Sequence, residues 1–259
     1  MATTYKTFLN NDVATTRTLL HEAIPVTGTV VSGTYSDENI KNYTHGMFQS
    51  VYDYPYLSSS ANHIFDVTVG MSTGSEFATS SGDNVNQYTK KSNVYYQMAQ
   101  VLNPYDISGN IRPFDTNGNL NEVECDYPCT GHDGKMHDVI FINFARLLSK
   151  DEVKKGTFSM SFLTGGAVSS SDRSGLLTLA DYGAASNFKV NSPSGEYGLL
   201  FSSSATPPPL DGDAVIGHIY YQAAIVVITA SIFSQIGGMP TGTIVGDGTR
   251  LNKYCEFGA

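Results

Sequence analysis

The sequence has no tryptophan, little charge and only three cysteines, and each shortage narrows the reading. Charged residues make up 15% of the 259 residues, well under the usual share of about a quarter. The surface must therefore be built from Ser, Thr, Asn, Gly and Tyr. That composition suits a β-rich extracellular or particle-bound protein better than a cytosolic enzyme. The net charge is −9, and the few basic residues pair only at Lys90–Lys91 and Lys154–Lys155. A chain of this kind does not neutralise phosphates, so no nucleic-acid partner is expected.

Cys125, Cys129 and Cys255 form an odd set, which argues against a disulfide framework. The first residues, MATTYKTFLNNDVATT, hold no charged segment followed by an apolar core. No secretory signal is expected there, which predicts synthesis in a cytoplasm and an external location reached only by assembly. The missing tryptophan removes the ring that flat sugar-binding platforms lean on.

Catalytic signatures are also missing. There is no G-x-S-x-G elbow, phosphate-binding loop, dinucleotide glycine pattern or H-E-x-x-H. No catalytic, cofactor-binding or metal-binding residue is assigned, and the chain is expected not to be an enzyme. One cluster bears on that expectation. Cys125, Cys129, His132 and His137 follow a Cys-x3-Cys-x2-His-x4-His spacing, and thiolate and imidazole are the ligands zinc prefers. The usual two-cysteine knuckle is Cys-x2-Cys. The same residues also read as two free thiols and two loop histidines, with His137 at the edge of a strand.

The most apolar run is Val215 to Phe233, VIGHIYYQAAIVVITASIF. Its length raises the question of a membrane span. His218 and Gln222 lie inside it, Asp211 and Asp213 precede it, and no basic cluster flanks it, so no span is expected. Val, Ile and Tyr dominate, which predicts two buried strands, Val215–Tyr221 and Ala224–Ile228, joined near Gln222–Ala223. Apolar residues on both faces place them centrally in a covered sheet. A buried helix over Ala223–Phe233 is the alternative.

Further strands are predicted at 26–35, 64–70, 139–144, 157–162, 176–179, 188–190 and 198–201. In 157–162, Phe158, Met160 and Phe162 should face the core. Ile40, Tyr43, Met47 and Val51 recur at helical spacing after Ser36-Asp37-Glu38, which predicts a helix ended by Tyr54-Pro55. A second helix should carry Val94, Tyr95, Met98, Ala99 and Leu102 and stop at Asn103-Pro104. Short helices are predicted at 18–23 and from the Ser149–Glu152 capping box to Gly156. Residues 72–86 lack aliphatic side chains before Val85, so they read as a long exposed loop. Residues 104–135 read as irregular, with a hairpin turn at Asn117-Gly118. Sixteen tyrosines suit either half-buried β-surface or an interface, with Tyr52, Tyr54, Tyr56 and Tyr95-Tyr96 as candidate anchors.

The expected fold is α+β: a β-rich single body with a few short helices and a mixed or sandwich-like sheet. Residues 1–236 would form this structural domain. Residues 237–259, rich in glycine, would be a flexible or partner-ordered tail.

Three segments resemble structural proteins of contractile-tailed, myovirus-type bacteriophages. They are FQSVYDYPYL at 48–57, FINFARLLSKDEVKKGTF at 141–158 and GHIYYQAAIVV at 217–227, together under a fifth of the chain. None is a catalytic motif. The resemblance implies a non-enzymatic virion component of tail, baseplate or neck, made in the bacterial host cytoplasm. Its partners would be other virion proteins and further copies of itself. A receptor- or glycan-binding tail fibre module is the alternative.

Overall fold

A computed structural model describes residues 39–59, 61–75, 85–106, 108–120, 134–145, 152–163, 176–201 and 215–230. In chain order these hold β1 (Ile40–Asn42), β2 (Gln49–Tyr52), β3 (His63–Met71), α1 (Val85–Leu102), β4 (Asp138–Phe144) and β5 (Ser159–Leu163). They continue with β6 (Leu176–Ala180), β7 (Phe188–Ser192), β8 (Gly195–Phe201), β9 (Val215–Tyr220) and β10 (Ile225–Thr229). The strands form one sheet in the order β1-β2-β3-β4-β10-β9-β8-β6-β5, with β7 also on β8.

The apolar run thus becomes the hairpin at the centre of the sheet. β9 and β10 pair antiparallel, Tyr220 opposite Ile225, and residues 221–224 turn between them. β10 then pairs with β4, Val227 opposite Phe141. Both faces of these strands are covered, which is why their sequence shows no polar side. Val139 and Phe141 of β4, Val227 of β10 and Tyr220 of β9 join one core with Val94, Tyr95, Ala99 and Leu102 of α1. Ile140, Ile142, Val226, Ile228 and Ile219 join a second core on the opposite face.

Curling of the sheet covers the second face. Strands lie about 4.8 Å apart, so five steps would hold β4 and β5 about 24 Å apart in a flat sheet. Yet Phe158, immediately before β5, meets the ring of Phe144 at the end of β4 with centroids 6.0 Å apart. The backbone N–H of Val153 also donates to the Tyr221 carbonyl at 2.9 Å. The segment leading to β5 therefore folds back over the face that Phe65, Ile142 and Leu200 present. Phe158, Met160 and Phe162 belong to that core, and Ser159 and Ser161 are exposed.

α1 covers the first face. Its apolar stripe follows the expected spacing, and it ends where Pro104 disfavours helical backbone at Asn103. Its last carbonyls find partners outside the helix, as helix ends require. Ser192 Oγ donates to Leu102 O at 2.5 Å and Ser194 Oγ to Val101 O at 2.7 Å.

Several expectations are corrected. The predicted helix through Ile40, Tyr43, Met47 and Val51 is the β1–β2 hairpin, with Ile40 directly opposite Val51. Its turn holds Gly46 at φ +63°, a conformation that favours glycine. The described part of the predicted 149–156 helix, residues 152–156, is not helical. Instead the Gly156 N–H donates to Asp181 Oδ2 at 2.7 Å. Ser72 and Ser75, placed in a long exposed loop, are buried. Asn117-Gly118 does turn, with Gly118 at φ +70°, but among the described residues it is spanned by the isolated bridge of Asp115 with Lys135 rather than by a strand pair. Among the described residues every strand pairing is antiparallel, in one curled sheet rather than a mixed or stacked pair, and the single helix has 18 residues. No helix among them is long and apolar enough to cross a membrane. The predicted elements at 18–23 and 26–35 and the tail at 237–259 lie outside the described residues.

Candidate interaction site

Of the four possible zinc ligands, Cys125, Cys129 and His132 lie outside the described residues. His137 is the residue before β4, as its strand-edge reading expects. Its Nδ1 is hydrogen-bonded to Ser72 Oγ at 2.6 Å, and its carbonyl accepts from Ser72 N at 2.8 Å. Ser75 Oγ donates to Asp138 Oδ1 at 2.6 Å. Hydroxyls thus anchor a segment that lacks aliphatic side chains: they satisfy buried polar groups and pin residues 72–75 to β4. Among the described residues no group of three or more His, Cys, Asp or Glu could hold a metal ion.

Serine, histidine and aspartate also meet at Asp66. Ser50 Oγ donates to Asp66 Oδ1 at 2.5 Å, and His63 Nε2 shares that oxygen at 2.8 Å. The order is wrong for a nucleophilic triad, in which imidazole stands between hydroxyl and carboxylate. Here the carboxylate stands in the middle. The cluster instead joins β2 to β3, where Ser50 lies opposite Asp66.

Beside it opens a cleft of about 450 Å³. Val94, Gln97 and Met98 of α1 form one wall, and Asp66 and Thr68 of β3 with Phe141 and Asn143 of β4 form the floor. The β1–β2 turn closes the end with His45, Met47 and Phe48. Lys91 fixes that turn by donating to Gly46 O at 3.0 Å. Tyr43, His45 and Phe48 pack as an aromatic trio with centroids 4.9–5.2 Å apart. Sequence reasoning missed this site. Its one local sign is Asn143, a lone amide in the otherwise apolar strand Val139–Phe144.

The tyrosines divide. Tyr95 is fully buried and anchors the core, while the half-buried Tyr96 packs against that core and its Oη hydrogen-bonds Thr73. Tyr54, Tyr56 and Leu57 sit at the apex between β2 and β3 and are exposed, Leu57 by 87%. Hydrogen bonds close the apex. Asp53 accepts from Asn62 N at 2.6 Å and Asn62 Nδ2 at 2.9 Å, and Ser58 N donates to Pro55 O at 2.7 Å.

Two buried titratable groups sit on β9 and just after β6. His218, on the α1 face, donates through Nε2 to Thr116 O at 3.1 Å and lies against Tyr197. Its Nδ1 has no hydrogen-bond partner among the described residues. Burial drives its pKa down to about 4 from 6.5, against the opposing pulls of the Thr116 hydrogen bond and then of Asp115. Asp181 accepts from Gly156 N and Tyr221 Oη, yet burial outweighs those bonds and raises its pKa. The signs follow. Below pH 6.5 unfolded His218 binds a proton and folded His218 does not, so stability is lost as pH falls from 6.5 towards 4, by about 3 kcal/mol in all. Asp181 acts oppositely: its penalty disappears as pH falls through its raised value. Urea unfolding at steps between pH 7 and 4.5 should show the His218 slope, and His218→Phe should flatten it. An unchanged slope in that variant would assign the loss elsewhere.

Comparison with protein-family models, with curated proteins and with solved structures gives no match.

Proposed function

We propose that the chain is a non-enzymatic structural component of a contractile-tailed bacteriophage virion, in tail, baseplate or neck, acting through protein–protein assembly. The observation that carries this reading is the apex of Tyr54, Tyr56 and Leu57. Three large side chains stand out from a hydrogen-bonded turn, within one of the segments that resembles virion proteins. Aromatic side chains held on such a turn lose little entropy on contact, so they suit a permanent interface. The low charge supports the same reading, because few ions need desolvating when surfaces meet. The partners would be other virion proteins and copies of the chain itself, and the location the particle.

Quantitative mass spectrometry of purified particles of the phage that encodes the chain tests this. Its peptides should appear at a fixed copy number per particle; their absence would overturn the proposal. Leu57→Asp should leave stability within about 0.5 kcal/mol, as exposed substitutions do. It should lower incorporation at least about tenfold, as loss of an interface anchor does. The alternative, a glycan-binding fibre module, is favoured by one observation, the cleft beside Asp66.

A further inference from the structure

We propose that the cleft between α1 and the β1–β2 turn binds a small neutral polyhydroxylated ligand, a hexose or a polyol of that size. The proposal deepens the glycan-binding alternative and is independent of the assembly reading. It rests on unspent hydrogen-bonding capacity gathered around an apolar surface.

His45 Nδ1 accepts from Met47 N at 3.0 Å. The neutral ring must therefore carry its proton on Nε2, which makes that atom a donor. Asp66 Oδ1 is occupied by Ser50 and His63, and Oδ2 remains an acceptor. Gln97 and Asn143 line the cleft, and their amide groups bond no described residue. Each offers both an NH₂ and a carbonyl. The cleft thus presents both donors and acceptors, with Phe48 and Met98 among the apolar residues of its lining.

That mixture selects the ligand. An ammonium group only donates, and would leave the His45 N–H and both amide NH₂ groups unmatched. A phosphate is an anion that accepts far more than it donates, and would meet the Asp66 carboxylate. A hydroxyl donates and accepts at once, so several hydroxyls on a ring satisfy the whole set. The C–H face of that ring would lie on Phe48 and Met98. The volume falls within the range of small-molecule sites, which are mostly apolar with a few convergent polar groups. Recognition by hydrogen bonds of this kind does not require the tryptophan platform that the sequence lacks.

The test is two-dimensional amide NMR of the full chain titrated with glucose, galactose and mannose. At least one hexose should shift the amides of residues 45–48, 66–68, 94–98 and 141–143, with half-saturation near about 1 mM. Gln97→Ala and Asn143→Ala should each weaken it by about 3- to 10-fold. Gln97 is on the exposed side of α1, where alanine favours the helix, so its variant keeps the fold. Silence of these amides up to about 50 mM of every hexose, well above the expected constant, overturns the proposal. So do shifts that persist unweakened in the double variant. Shifts here with tetramethylammonium or inorganic phosphate but not with a hexose also overturn it, and assign the cleft to a charged ligand. Particle composition is read separately, so failure here leaves the assembly reading standing.

Discussion

Gly217→Ala is expected to destabilise the protein by about 3 kcal/mol, the upper part of the usual range for forcing an extra carbon into a packed site. Gly217 lies in β9 between Leu200 of β8 and Ile228 of β10. A Cβ there would overlap the carbonyl oxygen of Val227 and lie 3.1 Å from the Ile228 Cα and 3.2 Å from the Val227 carbonyl carbon. All three are backbone atoms of the central pair, so no side chain can rotate away. The two strands would have to part, and the ladders of β10 with β4 and of β9 with β8 depend on them. Gly109 is the control. It has φ +82° and no atom within 4 Å of an added Cβ, so Gly109→Ala should cost only the backbone penalty of about 1 kcal/mol. Urea unfolding of the two variants decides the matter. Equal losses would mean that β9 and β10 do not approach this closely.

Tyr95→Phe should cost about 2–3 kcal/mol although it removes one atom. The Tyr95 hydroxyl donates to Met136 O at 2.7 Å and accepts from Phe114 N at 3.0 Å, wholly out of water. Phenylalanine would leave both backbone groups without these bonds, each at a cost of about 1–3 kcal/mol before relaxation. Tyr95→Ala should exceed it, since the ring packs edge-on against Phe114 and Phe141 at 5.4 and 6.4 Å and its loss opens a cavity. Tyr96→Phe is the contrast. Its hydroxyl meets Thr73 in an exposed setting, where water replaces the bond. Thermal unfolding of the three variants should rank Tyr95→Ala below Tyr95→Phe, with Tyr96→Phe near the parent. A neutral Tyr95→Phe would refute the bridging role of the hydroxyl.

The central strands were legible because burial on both faces leaves mostly Val, Ile, Phe and Tyr, a pattern short-range reading can find. The alternation at Thr157–Phe162 and the stop at Asn103-Pro104 were legible for equally local reasons. The β1–β2 hairpin was misread because Ile40, Tyr43, Met47 and Val51 match helical spacing by coincidence. Gly46, which needs a left-handed backbone, was the competing signal. Ser72 and Ser75 were misplaced because hydroxyls can be buried when they find His137 and Asp138. The cleft was illegible for a different reason. His45, Asp66, Gln97 and Asn143 come from four segments, and only the sheet order and the seat of α1 bring them together.

The placement of β10 between β4 and β9 also sets a timetable for synthesis. β4 ends at residue 144, but the strand that covers its open side ends at residue 229, a further 85 residues along. At roughly 5–20 residues per second, about 4–17 s pass on the ribosome before that strand has even been made. Through that interval Ile140, Phe141 and Ile142 stand beside an unpaired edge, which can template pairing with a neighbouring nascent chain. Output of folded protein should therefore rise when translation is spaced out or a holding chaperone is abundant. The hairpin at the centre of the sheet closes only long after the strand it must cover has been made.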